Sequence, residues 1–156
     1  MGKLVVVKGD PVTGTDLHNV SGTNAQGSPY LGTGKFAYNG SVTAQLSGFV
    51  SIGGTPVALV TSGSSLGPTE TATGGHGPLS GKDFSAPGPA PNSPVSFLDT
   101  PLGAGSPSSG AGSGLLTVDG VEVLLDGDGF DTCGPAPTAA ASSVAAQGQD
   151  FVTCAE

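Results

Sequence analysis

Two stretches of the chain, 49–60 and 115–126, carry the same rhythm of apolar and polar positions. Each runs apolar, apolar, hydroxyl, apolar, then a turn ending in Gly, then Val and Leu two residues apart. The pattern predicts two hairpins. The first has strands at 49–52 and 56–60 around Gly53-Gly54, and the second turns at Asp119-Gly120. Such turns need positive φ at both central residues, which Gly-Gly and Asp-Gly supply. Pro56 cannot donate to a ladder and belongs at a strand start or edge.

The remaining pattern extends the β reading. Residues 3–8 form a Val-rich strand that Gly9-Asp10-Pro11 ends with turn chemistry. Residues 36–46 alternate loosely, with Phe36, Tyr38, Val42, Ala44 and Leu46 on the apolar positions. Residues 150–154 read as a last short strand. Residues 13–34 are rich in Gly, Thr, Asn and Ser, and His18 is expected there outside the apolar strands. Residues 78–114 carry seven prolines around one apolar island, Val95 to Leu98, and read as an insert: a loop, a wrapping arm or a disordered segment. The Ala/Ser-rich run 138–147 predicts one short helix starting at Thr138. The fold class is mostly β, in a single domain over 1–156.

Composition narrows the picture. The 156 residues include 28 Gly and 13 Pro, while charged residues are 10% and mean hydropathy is +0.11. Disordered chains combine low hydrophobicity with high charge, so many short strands fit better. A core of Val, Ala and Leu with 5% aromatics is thin. Such a core gains from a metal, a disulfide or a docked partner. A net charge of −8 with four lysines and no arginine lacks the footprint of a nucleic-acid binder and disfavours an anionic membrane surface. The opening has four apolar residues before Lys8, too few for a signal-peptide core, and nothing approaches a membrane span. Synthesis in the cytoplasm is expected.

Candidate chemistry is sparse. Two histidines and two cysteines, His18, His76, Cys133 and Cys154, match the donor set of a tetrahedral structural zinc. Their spacing is not that of a zinc finger. A Cys133–Cys154 disulfide and unligated side chains remain alternatives. Asp126-Gly127-Asp128 superficially resembles a calcium loop, but Phe130 and Pro137 stand where that loop needs ligands. A turn is the better reading. No nucleophile elbow or phosphate loop is present, and no enzymatic activity is expected.

The residues also carry a family resemblance. Val7-Lys8-Gly9-Asp10-Pro11 followed by His18 resembles the start of PAAR-repeat proteins, and so do the two hairpins. Pro56-Val57-Ala58-Leu59 stands where that family has Pro-Ala-Ala-Arg, with Leu59 in place of Arg. Asp126-Gly127-Asp128 followed by Cys133-Gly134 is similar to the family's exit from its last hairpin. These proteins are the tips of contractile injection systems: type VI secretion, phage tails and extracellular phage tail-like particles. The resemblance implies a small cone of short strands with a zinc near its apex. It also implies a base seated on a trimeric VgrG-like tail-spike protein. His18, His76 and Cys133 match ligand positions, and Cys154 stands in for a third histidine. The implied role is to cap and sharpen the spike for membrane puncture. Such a tip can carry effector cargo and reaches the extracellular side as part of the particle. The implied strand groups for a three-fold base lie near 3–8, 49–60 and 115–125. A secreted or surface β-rich binding module, an adhesin or carbohydrate-binding domain, is the alternative.

Overall fold

The computed structural model describes residues 2–66, 82–85, 88–92, 95–99, 103–132 and 142–155. They form fourteen β-strands and no helix among the described residues. Six of these strands close into an antiparallel barrel: β2 (Pro11–Thr23), β3 (Pro29–Ala44), β6 (Gly63–Leu66), β9 (Ala104–Pro107), β12 (Gly129–Thr132) and β13 (Ser142–Val144). Each pairs with the next in that list, and β13 returns to β2. Closure leaves the barrel without a free edge. Val12, Tyr38, Val42, Phe130 and Val144 fill it and meet Val6, Ala58 and Leu124 at its floor.

Close packing here needs glycine. A Cβ on Gly40 would lie 2.6 Å from both the Ser65 carbonyl oxygen and the Tyr38 ring. The bare backbone therefore lets β3 approach β6 while Tyr38 packs inward, its hydroxyl 3.0 Å from Ser64 Oγ.

β2 and β3 continue far past the barrel as one hairpin, paired from Pro11↔Ser41 to Thr23↔Pro29. Thirteen residues of strand span about 43 Å. This extension has its own core of Val20, Tyr30, Phe36 and Val95, with Phe84 and Phe97 against it. Two strands flank it: β7 (Lys82–Ser85) beside β3, and β8 (Ser96–Phe97) beside β2.

Below the barrel lie three short hairpins. β4 (Ser51–Ile52) pairs with β5 (Thr55–Pro56), and β10 (Thr117–Val118) with β11 (Val121–Glu122). Their turns have φ of 58° and 85° at Gly53 and Gly54, and 52° and 76° at Asp119 and Gly120, as the sequence predicts. The third hairpin joins segments from opposite ends of the sequence. β1 (Lys3–Leu4) pairs with β14 (Thr153–Cys154), in the register Lys3↔Cys154 and Leu4↔Thr153.

Two expectations change. The helix expected over 138–147 is not formed where the structure describes it: Ser142–Val144 is β13, and 145–147 are irregular. Residues 138–141 lie outside the described residues. Helix propensity is a weak preference, and here burial of Val144 between β2 and β12 overrides it. Likewise, His18 sits inside a long strand rather than outside the strands, because Gly and Thr on β2 are carried by continuous pairing to β3. Three pieces of the Pro-rich insert also serve as strands β7, β8 and β9.

Candidate functional site: a pseudo-three-fold base

Three backbone segments meet at the barrel floor: 5–10, 57–62 and 123–128. Their central residues bond head to tail in a closed ring. Val6 N–H donates to Leu124 O at 3.0 Å, Leu124 N–H to Ala58 O at 3.1 Å, and Ala58 N–H to Val6 O at 3.0 Å. A second set surrounds it, from Lys8 to Pro56, Val60 to Glu122 and Asp126 to Leu4, at 2.8–2.9 Å. A third set ties each segment to its hairpin: Val5 to Val152, Val57 to Val50 and Val123 to Leu116. Three-fold repetition of several independent bonds defines a pseudo-three-fold axis within one chain.

Side chains repeat the pattern. Each segment leaves the ring through a turn capped by a short polar residue. Val7 N–H donates to Asp10 Oδ2 at 2.7 Å, Leu59 N–H to Ser62 Oγ at 2.9 Å, and Leu125 N–H to Asp128 Oδ2 at 2.8 Å. Asp128 also accepts from Gly112 N–H, and Asp126 from Ala146 N–H. These carboxylates are occupied by backbone donors, so the aspartate-rich run forms a turn, as expected from sequence. Asp10 is 1% exposed and additionally accepts from the N–H groups of Gln147 and Gly148.

The base has its own apolar cluster, built almost wholly from equivalent positions. Val5, Val57 and Val123 are one set, and Val152, Val50 and Leu116 another. Ile52, Val118 and Cys154 form a third, fixed by the matching hairpin registers. Cys154 thus fills the place that two aliphatic residues fill elsewhere, as a small apolar side chain. Its thiol is free, and Ser113 Oγ lies 3.2 Å from the sulfur.

His18 lies in a different region. It is fully buried in the extended hairpin, its ring edge-on or tilted to Phe36 and Phe97 at centroid distances of 5.5 and 4.9 Å. Nδ1 is 3.2 Å from Asp99 Oδ2, and Nε2 is 3.8 Å from Asp16 Oδ2. Asp99 also accepts from Asn19 N–H at 2.6 Å and Asn19 Nδ2 at 3.0 Å. Thr132, which precedes Cys133, donates its hydroxyl to Asp16 Oδ1. Nearby, burial pushes the Tyr30 phenol pKa above its usual 10.0.

The structure does not bring His18 and Cys154 together. His18 is seven residues along β2 from Pro11, about 23 Å of strand, whereas Cys154 packs below the barrel. Zinc ligands lie within about 2.3 Å of the ion, so one ion does not span that gap. His76 and Cys133 lie outside the described residues. Among the described residues no group of three or more His, Cys, Asp or Glu is placed to hold a metal. Of the two described candidates, His18 suits a ligand: the Asp99 carboxylate beside Nδ1 fixes the tautomer and orients the ring. Asp99 was not legible as its neighbour, because it comes from the Pro-rich insert with no fixed spacing; Asp16, two residues before His18, shares its face only once 11–23 is known to be a strand.

No family model, curated protein or solved structure matches this chain.

Proposed function

We propose that this chain is the structural, non-catalytic tip of the central spike of a contractile injection system, seated on the end of a trimeric spike protein. One observation carries the reading: the closed hydrogen-bond ring of Val6, Ala58 and Leu124, which gives a single chain a three-fold floor. A monomer that caps a three-fold rod must offer each of three identical strand ends a similar contact. Otherwise it leaves one or two of their strand edges open, and open edges are aggregation-prone.

The reading includes a structural zinc near the far end, with His18, His76 and Cys133 among its ligands. The zinc would cross-link distant segments there and add folding free energy. Asp99 would then orient His18. Cys154 is not part of that set.

Co-expression with a trimeric β-helical spike protein tests the partner. The expected product is one copy of this chain on three of the spike, resolved by native mass spectrometry. Absence of any complex, together with binding to a glycan array, would favour the surface module. Elemental analysis tests the metal. One zinc per chain is expected, lost in His18→Ala and retained in Cys154→Ala.

A further inference from the structure

Five large apolar side chains stand exposed on the described surface, and three of them are related by the pseudo-three-fold axis. Phe49, Leu115 and Phe151 are 74%, 69% and 67% exposed. Each lies two residues after the side chain that clamps its hairpin: Ser47, Ser113 and Gln149. In each case that clamp accepts the exposed residue's own N–H, at 3.4, 3.2 and 3.0 Å. It also accepts the next N–H, of Val50, Leu116 or Val152, at 2.7–3.0 Å. The three backbones are therefore held alike, and each displays its apolar side chain outward.

Nothing in folding accounts for this. The next residues, Val50, Leu116 and Val152, pack into the base cluster, whereas the three before them do not. Three ordered, solvent-facing apolar groups cost solubility without adding to the core. Together they offer on the order of 400 Å² of apolar surface, spread over three equivalent hairpins. The area is about half of the roughly 800 Å² that each side of a specific interface buries.

We propose that Phe49, Leu115 and Phe151 form a docking triad, three equivalent contacts for three identical pockets on a partner with a three-fold axis. The inference rests on the function proposed above and adds the residues through which the base engages. A second copy of this chain is the wrong occupant. Two bases meeting face to face would bring together chains of net charge −8. The hairpins themselves carry Asp119, Glu122 and Asp150 against a single cation, Lys3.

The test uses the full chain and the trimeric spike protein of the co-expression experiment, with affinity measured by calorimetry. Phe49→Ser, Leu115→Ser and Phe151→Ser should each weaken binding by a similar factor, about tenfold, and the triple variant should abolish it. The unfolding midpoint should stay near that of the parent chain, because these side chains are exposed. Leu31→Ser and Leu98→Ser, comparably exposed at 69% and 52% but outside the repeat, should bind as the parent does. Equal binding by the parent and the triple variant overturns the triad while leaving the proposed partner standing. No binding by the parent overturns the proposed partner, and the triad with it. A parent dimer in sedimentation that the triple variant abolishes assigns the triad to self-association and overturns it as a spike contact.

Discussion

Gln149 donates through Nε2 to the carbonyl oxygen of Val5 at 2.8 Å. At the equivalent places the donor is backbone: Ser47 N–H bonds Val57 O and Ser113 N–H bonds Val123 O, both at 2.9 Å. One long amide side chain thus imitates both the N–H and the hydroxyl of a serine. It completes a hairpin whose strands come from opposite ends of the sequence.

The imitation has a measurable cost when removed. Ser47→Ala and Ser113→Ala lose an acceptor but keep the backbone donor. Gln149→Ala loses both and leaves the Val5 carbonyl and the N–H groups of Phe151 and Val152 without their partner. Urea unfolding should show Gln149→Ala destabilised by about 2–3 kcal/mol, and each serine variant by about 1 kcal/mol. Equal losses in all three variants would remove the special role given to Gln149.

Gly40 and Gly48 make a matched pair. A methyl on Gly40 meets backbone and ring atoms at 2.6 Å, whereas Gly48 has open space within 4 Å. Gly40→Ala is expected to lower stability by about 2–3 kcal/mol through overpacking. Gly48→Ala should fall within about 0.5 kcal/mol of the parent, the range of ordinary surface substitutions. Thermal denaturation of both variants decides it.

Asp99 fastens the middle of the Pro-rich insert to β2 through Asn19 and His18. Asp99→Ala should release β8, which pairs with β2 through only Val20↔Phe97 and Ser21↔Ser96. Limited proteolysis should then cut near 95–99 at least tenfold faster, a rate change worth about 1.4 kcal/mol of local opening. Asp99→Asn keeps acceptor capacity and should lie between Asp99→Ala and the parent chain. An unchanged cleavage rate would show that the strand pairing holds the insert without Asp99.

Tyr30 gives a pH signature. Burial favours its neutral phenol, so its folded pKa lies above the unfolded value. The folded state therefore binds the proton more tightly. This contribution to stability is complete below pH 10 and declines as pH rises through the folded pKa. Ultraviolet titration should place the ionisation of Tyr30 above its usual range, and Tyr30→Phe should remove that component. If Tyr30→Phe leaves the titration unchanged, the late phenol belongs to another residue.

Much of the base was legible in the chain. Gly53-Gly54 and Asp119-Gly120 dictate their turns locally, because few residue pairs accept positive φ twice in succession. The flanking Val and Leu positions then place one face inward. The three segments expected to share a base, near 3–8, 49–60 and 115–125, do surround one axis. Less was legible where pairing is non-local. The sequence from 138 to 147 looks helical because alanine favours helices in isolation, yet Val144 is drawn into a barrel wall by β2 and β12. His18 looks like a loop residue among Gly, Thr and Asn, yet thirteen continuous pairings hold its strand.

The sequence by itself determined the local units: two hairpins and a mostly β chain. Turn chemistry and side-chain alternation act over a few residues, so they can be read one segment at a time. Only the tertiary structure decided that Val6, Ala58 and Leu124 close a ring, and that Cys154 stands where Ile52 and Val118 stand. It alone set Phe49, Leu115 and Phe151 at matching exposed positions. These relations depend on hydrogen bonds between segments 52 to 144 residues apart, and no local pattern encodes which distant carbonyl a given N–H will meet.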